Sequence, residues 1–129
     1  NKPKLMDEKD WYDVDVITCA APNLRERPSN RFNQGNGDRA VKVSDKELLE
    51  IHKKRLTRIL DVVALNGNEV IILGAFGCGA FQNKPEVVAR AAKEVIADYL
   101  HAFNAIEFAV YCPPRDDTNF KVFKRVLGA

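Results

Sequence analysis

The sequence of 129 residues predicts a single α/β domain with helices on both faces of a mostly parallel sheet. Short, continuously apolar segments alternate along the chain with longer amphipathic ones. Turn residues separate these segments, and neither an internal repeat nor a low-complexity stretch interrupts the series. Such alternation is typical of parallel strands joined by right-handed helical crossovers. The expected architecture therefore has three layers, αβα.

The first apolar segment, residues 14–21, follows a polar N-terminal segment, residues 1–13. Its sequence, VDVITCAA, is rich in β-branched residues and is broken by Pro22-Asn23. This pattern predicts a strand that is buried on both faces. Residues 24–43 show no hydrophobic period, so they predict a long loop that is functional or mobile.

The rest of the chain predicts three helices and two further strands. Ser44 and Glu47 form a capping box before a helix that ends at Asn66-Gly67. A strand at 69–74 leads through a glycine-rich turn to a helix near Pro85. A third strand is expected at 105–112, and a last helix from about 116–118. The inner face of the middle helix is predicted to carry Val88, Ala91, Ala92, Val95, Ile96, Tyr99, Leu100 and Phe103.

Three strands form a thin sheet, since sheets usually contain four to six. A strand buried on both faces also needs neighbours on each side, and the chain begins with only a charged segment before residue 14. We therefore expect a partial domain, completed by another chain or by upstream sequence.

Composition excludes several classes of function. The chain carries 20 Lys and Arg against 18 Asp and Glu, a net charge of +2, which disfavours a dedicated DNA- or RNA-binding protein. It contains no run of 18 apolar residues, so no membrane-spanning helix is expected. The charged N-terminus does not resemble a secretory signal.

Cysteine and histidine usage predicts neither a disulfide framework nor a metal site. The chain has an odd number of cysteines, Cys19, Cys78 and Cys112, and their spacing forms no CxxC motif. This pattern favours a reducing, cytoplasmic environment. Cys19 and Cys112 lie in predicted strands and are expected in the core. His52 and His101 fall in helical patterns without the short ligand spacings that zinc requires. No cofactor is expected.

The glycine-rich turn at 74–83, GAFGCGAFQN, is the strongest candidate for a functional site. It follows a parallel strand, where ligands bind in open α/β sheets. Its glycines allow close approach of the backbone to a ligand, and the following helix N-terminus favours an anion. The turn matches neither a P-loop nor a GxGxxG fingerprint. We therefore expect a phosphate or diphosphate here, with a purely structural turn as the alternative.

Cys78 and the aromatic residues near the turn each allow two interpretations. Cys78 lies near a helix N-terminus, which is typical of reactive thiols, but no histidine follows a strand end to act as its base. We therefore favour a packing role for Cys78 over a cysteine-dependent hydrolase. Phe76, Phe81 and Tyr111 either contact a nucleotide or pack in the core; Tyr111 is favoured for ligand contact.

Four segments of the chain together resemble microbial-type poly(ADP-ribose) glycohydrolases, which are macrodomain proteins. These segments are VITCAAPN, LTRILDVV, VIILGAFGCGAFQNKPEVVA and FAVYCPPRDDTNFKVFKRVL. The stretch 73–89 is similar to the family pattern LGAxGCGxFxNxPxxVA almost position by position. The resemblance covers residues 14–127 approximately. It is to the C-terminal half of the proteins in this family. It implies a macrodomain-like αβα fold that is incomplete in this chain.

The resemblance further implies that the glycine turn binds the diphosphate and ribose of ADP-ribose, or of poly(ADP-ribose), mainly through backbone N–H groups. Tyr111 resembles the aromatic that lies against the adenine in macrodomains. The expected ligand-binding residues are Gly74, Ala75, Phe76, Gly77, Cys78, Gly79, Ala80, Phe81, Asn83 and Tyr111.

Catalysis is not expected of this chain alone. The family uses a GGG segment and a QEE motif whose glutamate is the general acid, and glycoside cleavage requires such a carboxyl. The 129 residues contain no GGG, QE or EE. No catalytic residue is therefore assigned. The main hypothesis is an ADP-ribose-binding portion of a glycohydrolase, and the alternative is a non-catalytic macrodomain fragment that binds a nucleotide or another protein.

Overall fold

A computed structural model describes residues 4–25 and 42–128 of the chain. A short 3-10 turn, Glu8–Asp10, lies near the N-terminus. Three helices and two strands then alternate in the order that the sequence predicts. They are α1 (Asp45–Leu65), β1 (Val70–Leu73), α2 (Pro85–Ile96), β2 (Ala105–Phe108) and α3 (Thr118–Leu127).

Helix α1 begins and ends where local sequence signals predict. The Ser44 hydroxyl accepts a hydrogen bond from the Glu47 N–H at 3.2 Å, and the Glu47 carboxylate accepts from the Ser44 N–H at 3.0 Å. At the other end, the Asn66 N–H still donates to the Val62 carbonyl, and Gly67 takes a positive φ of 75°. Both ends of the longest helix are therefore confirmed.

Strands β1 and β2 are parallel, and α2 is the crossover that joins them. Their register pairs Val70 with Ala105 at one end and Leu73 with Phe108 at the other. The carboxyl end of β1 opens into the glycine-rich turn, which leads directly into α2. The sheet thus places this turn at the edge where parallel sheets bind ligands.

Helix α2 is the centre of the core, because it packs against both other helices. Its small residues Ala91 and Ala92 are fully buried, which lets α1 approach closely. The opposite part of α2 contacts α3, where Phe123 packs against Phe108 at a ring separation of 5.8 Å. The α1–α2 side of the core is formed by Leu56, Ile59, Leu60, Ile71, Leu73, Ala91, Ala92, Val95 and Phe103.

The sheet has one covered face. Ile71 and Leu73 point into the core, whereas Val70 and Ile72 are 52% and 66% exposed. In the part of the chain that the structure describes, the sheet contains two strands. The prediction of a macrodomain-like α/β fold with an incomplete sheet is therefore confirmed.

The predicted buried strand at 14–21 is wrong. Residues 11–20 form no regular strand and are exposed, with Val16 at 83% and Ile17 at 42%. The β-branched residues have no neighbouring strand among the described residues, so their propensity alone does not produce a ladder. Most of the predicted loop at 24–43 lies outside the described residues.

Two other boundaries differ from prediction. Strand β2 ends at Phe108 rather than at residue 112, which leaves Cys112 exposed; Cys19 is exposed as well, so neither cysteine is in the core. Helix α2 ends at Ile96 and is followed by tight turns, in which Asp98 and Tyr99 donate to carbonyls three residues back. These turns change the angular spacing of side chains, and Leu100 is consequently 67% exposed.

None of the helices in residues 4–25 and 42–128 combines the length and the apolar character needed to cross a membrane.

Candidate functional site

The candidate site is the loop at 74–83, which we call the glycine loop. It consists of tight turns held by its own backbone. The Cys78 N–H donates to the Ala75 carbonyl, and the N–H groups of Gln82 and Asn83 donate to Gly79 and Gly77, each at 3.0 Å. These hydrogen bonds define the backbone conformation of the loop.

Gly77 is required by the fold. Its φ is +77°, a conformation that costs other L-residues about 1–2 kcal/mol. A Cβ at this position would lie 2.5 Å from the Ala21 Cβ and 2.7 Å from the Asn83 Nδ2. The absent side chain thus allows the loop to pack against the end of the segment at 14–21.

Gly79 is different, because neither conformation nor packing requires a glycine there. A Cβ at Gly79 would meet no atom within 4 Å, and its φ is not in the left-handed region. Gly79 and Ala80 are both exposed. The backbone of the loop is therefore exposed at Gly79 and Ala80.

Three successive backbone N–H groups in the glycine loop are free to bind a ligand. Within residues 4–25 and 42–128, the N–H groups of Gly79, Ala80 and Phe81 donate to no protein acceptor. Consecutive free amides of this kind attract anions. The Cys78 N–H, by contrast, is already used inside the loop, so it is not available as one of the predicted donors.

Asn83 holds the loop together from inside. Its side-chain nitrogen donates to the carbonyls of Pro22 at 2.7 Å, Gly77 at 3.0 Å and Phe81 at 3.3 Å. The residue is 2% exposed. Asn83 was predicted to contact the ligand; the structure instead uses its polar atoms within the protein, so its role is to position the loop.

The remaining polar atom of Asn83 contacts α1. Its Oδ1 lies 2.9 Å from the Nε2 of His52, which is fully buried. Because the three carbonyls fix the amide orientation, Oδ1 is the acceptor and the His52 Nε2 carries the proton. The other ring nitrogen, Nδ1, has no hydrogen-bond partner among the described residues.

The surroundings of His52 favour its neutral form. Burial lowers the pKa of His52 below the ordinary 6.5, and the nearby positive charge of Arg55 lowers it further; the hydrogen bond to Asn83 acts in the opposite direction. Phe76 packs edge-on against the imidazole, with ring centres 5.6 Å apart. Phe76 therefore packs the glycine loop against His52 of α1.

Residues 21–25 lie beside the glycine loop. The Leu24 N–H donates to the Phe81 carbonyl at 3.0 Å, and Asn83 reaches Pro22 as described. The guanidinium of Arg25 lies 5.7 Å from the Phe81 ring centre. Residues 21–25 are thus in direct contact with the glycine loop.

The segment that follows β2 begins close to the glycine loop but extends away from the core. The Ala109 N–H donates to the Leu73 carbonyl at 2.7 Å, so the chain leaves β2 next to Gly74 and Ala75. Tyr111 is 79% exposed. The structure thus leaves the Tyr111 ring accessible, while its contact with a ligand stays a prediction.

The N-terminus of α2 lies next to the loop. Its N-cap residue, Lys84, makes no side-chain cap, and Pro85 occupies the first turn. Lys84 forms an ion pair with Asp45 at the start of α1, and Glu86 pairs with Arg125 at 3.3 Å. The charges at this end of α2 are therefore largely paired within the protein.

Cys78 is a packing residue. Its side chain lies against the α2–α3 side of the core, and burial, with a smaller effect of the Glu86 carboxylate, raises the pKa of its thiol to about 12. A thiol with this pKa is not a nucleophile at neutral pH. Burial and the raised pKa of Cys78 therefore disfavour the alternative of a cysteine-dependent hydrolase.

His52 supports this site, and the sequence did not reveal that role. It was interpreted as an ordinary packed or solvated histidine. A signal was present, since His52 lies four residues from both Leu48 and Leu56 on the buried stripe of α1. No cluster of three or more metal-ligating side chains occurs within the described ranges.

Comparison with known proteins gives structural matches alone, since no protein-family model and no curated protein matches the sequence. The fold is similar to the poly(ADP-ribose) glycohydrolase (PARG) of Deinococcus radiodurans in complex with ADP-ribose, with 32% identity and a TM-score of 0.60. That match covers 64% of this chain and 34% of the other. The apo form of the Deinococcus protein matches with the same values.

A second bacterial PARG, from Thermomonospora curvata, matches at 26% identity and a TM-score of 0.59, over 63% of this chain and 31% of the other. The chain thus spans about a third of the length of the solved structures that it matches. The resemblance seen in the sequence is confirmed at the level of structure. These residues have the fold of part of a bacterial PARG.

Proposed function

We propose that this chain binds ADP-ribose and that the glycine loop binds its diphosphate. The observation that carries the proposal is the run of three free N–H groups at Gly79, Ala80 and Phe81. A diphosphate offers several strong acceptor oxygens to such donors. The adjoining N-terminus of α2 adds a favourable dipole.

The structural relatives support ADP-ribose as the ligand. The Deinococcus PARG whose fold this chain shares was solved in complex with ADP-ribose. The glycine loop belongs to the stretch of this sequence that is most similar to the family pattern. The open space over Gly79 leaves room for phosphate oxygens to approach the backbone.

Tyr111 is the proposed contact for the adenine. Its ring is exposed on the segment that leaves the sheet next to the glycine loop. An exposed aromatic face is well suited to stack on a flat heterocycle. Phe81 contributes mainly its backbone N–H, since Arg25 lies over its ring.

The proposed activity of the whole protein is that of an ADP-ribose or poly(ADP-ribose) glycohydrolase, located in the cytoplasm. The free state of all three cysteines is consistent with a reducing compartment. The 129 residues carry no GGG, QE or EE segment to supply the general acid. The chain by itself is therefore proposed to bind ADP-ribose without cleaving it.

Isothermal calorimetry with ADP-ribose tests this proposal, and adenosine is the comparison ligand. ADP-ribose is expected to bind more tightly than adenosine because only ADP-ribose carries the diphosphate. Gly79→Asp is expected to abolish binding, since it places a carboxylate beside the free N–H groups without a steric clash. Asn104→Asp, the same charge change at an exposed position at the start of β2, is the control.

The outcomes are distinct. A folded sample that releases no heat with millimolar ADP-ribose would contradict binding. Equal affinities for adenosine and ADP-ribose would contradict the assignment of the diphosphate to the loop. Release of free ADP-ribose from poly(ADP-ribose) by the chain alone would contradict its proposed lack of catalysis.

A further inference from the structure

The glycine loop offers hydrogen-bond donors but no charged side chain. Its sequence, GAFGCGAFQN, contains no Asp, Glu, Lys, Arg or His. The N–H groups of Gly79, Ala80 and Phe81 therefore meet a diphosphate with partial charges alone, whereas each phosphate of ADP-ribose carries a full negative charge. A full positive charge that acts on this ligand has to come from a residue outside the loop.

The ionisable side chains at the start of α2 are poorly suited to supply that charge. Lys84 forms an ion pair with Asp45, and Glu86 forms one with Arg125. Each pair has zero net charge, which weakens the attraction of its cation for an anion at the loop. The cation that faces the diphosphate is therefore better sought among the residues that lie against the loop on its other side.

Arg25 places a guanidinium beside the loop. Its Cζ lies 5.7 Å from the centre of the Phe81 ring, within the range of a cation–π contact. The residue before it is bonded to the loop, because the Leu24 N–H donates to the Phe81 carbonyl at 3.0 Å. A backbone contact and a side-chain contact thus join this part of the chain to Phe81, whose own N–H is one of the three proposed donors.

Asn23 restrains the Arg25 side chain. The Asn23 Oδ1 accepts hydrogen bonds from the Arg25 Nε at 3.1 Å and from the Arg25 backbone N–H at 3.4 Å. This oxygen and the Phe81 ring together fix a long side chain, and Arg25 is half-buried. Less conformational entropy is lost when a side chain that is already held in place binds a ligand.

We propose that Arg25 is a binding residue for the diphosphate, an inference that rests on the proposed function of the glycine loop. A guanidinium has five N–H donors in one plane, so it can bond to Asn23 and to phosphate oxygens at the same time. Its planar fork matches two phosphate oxygens, and the resulting hydrogen bonds are charge-assisted. Arg25 thus supplies the positive charge that the loop itself lacks.

Calorimetry with ADP-ribose on the folded chain tests this role. Arg25→Gln removes the charge but keeps a polar side chain, and is expected to weaken binding about ten- to a hundredfold, the range for loss of charge-assisted hydrogen bonds. Arg25→Lys keeps the charge without the planar fork and is expected to bind with intermediate affinity. Arg58→Gln, the same change at an exposed arginine of α1, is the matched control and is expected to bind like the unsubstituted chain.

The salt dependence of binding separates a direct contact from a structural role. Salt screens the attraction between Arg25 and the diphosphate, so the affinity of the unsubstituted chain is expected to fall from about 0.05 M to about 0.5 M NaCl. In Arg25→Gln this fall is expected to be smaller. A residue that only holds residues 21–25 against the loop would instead change the affinity by the same factor at every salt concentration.

NMR spectra show whether the substituted protein keeps the loop intact. The Asn83 amide, which donates to the Gly77 carbonyl inside the loop, is expected to keep its chemical shift in Arg25→Gln. At saturating ADP-ribose, the three free amides of the loop are expected to shift as they do in the unsubstituted chain. A displaced Asn83 amide would assign Arg25 a structural role and would contradict the proposal.

The remaining outcomes separate this inference from the proposed function. Equal affinities of Arg25→Gln and the unsubstituted chain would exclude a contact between Arg25 and the diphosphate, and would leave ADP-ribose binding by the loop in place. Weaker binding with an unchanged salt dependence would also overturn the contact alone. If the unsubstituted chain failed to bind ADP-ribose, or bound it without shifts of the loop amides, the proposed function and the role of Arg25 would both be contradicted.

Discussion

The Nε2 of His52 lies 2.9 Å from the Oδ1 of Asn83, and both side chains are buried. This hydrogen bond connects the middle of α1 to the end of the glycine loop. The nitrogen of the same amide group donates to the carbonyls of Gly77 and Phe81 within the loop and to that of Pro22. Helix α1 thus helps to hold the glycine loop in place through this hydrogen bond.

Replacing His52 with leucine should destabilise the protein. His52→Leu keeps an apolar side chain of similar size but leaves the Asn83 Oδ1 without a donor, which costs about 1–3 kcal/mol. Urea unfolding measures this loss. His101→Leu, at an exposed histidine, is the matched control and should change stability by less than about 0.5 kcal/mol. Equal effects of the two substitutions would contradict the role of His52.

The same histidine should make stability depend on pH. Its pKa is lowered in the folded protein, so just below the ordinary value of 6.5 the unfolded chain binds the proton more readily than the folded one. Stability is therefore greatest above about pH 6.5 and decreases as the pH falls through the window below it. Thermal unfolding at several pH values measures the slope, which should be smaller in His52→Leu.

Alanine substitutions at the two glycines of the GCG motif, Gly77 and Gly79, should change the stability of the protein by different amounts. Gly77→Ala should cost more than about 2 kcal/mol, because it combines a positive φ with contacts closer than 3 Å. Gly79→Ala meets open space and should change stability by less than about 1 kcal/mol. Chemical denaturation of both variants checks this difference. A similar loss in each would mean that Gly79 is also a packing residue.

Cys78 should react more slowly than the other two thiols. Burial raises the pKa of Cys78 to about 12, whereas Cys19 and Cys112 are exposed. Brief alkylation with iodoacetamide at pH 8, followed by peptide mass spectrometry, is expected to label Cys19 and Cys112 first. Denatured protein, in which all three react, is the control. Preferential labelling of Cys78 in the folded protein would restore the reactive-thiol interpretation.

Much of the fold could be predicted because its signals are local. The capping box at Ser44 and the Asn66-Gly67 end lie within a few residues of the groups that they satisfy, so α1 was bounded correctly. The strand predicted at 14–21 failed because a strand depends on a partner from elsewhere in the chain, and its apolar pattern does not reveal whether one is present.

The candidate site, like the fold, could be predicted from the sequence only where its signals are local. Gly77 and Gly79 are visible in the sequence because a glycine-rich turn before a helix is a local pattern. The different roles of the two glycines are not visible in the sequence, because they depend on packing. Ala21 and Asn83 lie close to Gly77, whereas nothing lies close to Gly79. The contact between His52 and Asn83 spans 31 residues of sequence, and no short motif contains it.

An NMR titration of the folded chain with ADP-ribose tests the central claim most directly. Binding through the glycine loop predicts that the amide resonances of Gly79, Ala80 and Phe81 shift most, and that the buried amide of Ala91 in α2 shifts little. Gly79→Asp should remove these shifts. If millimolar ADP-ribose left all three amides unchanged in the folded protein, the glycine loop would not be the diphosphate site.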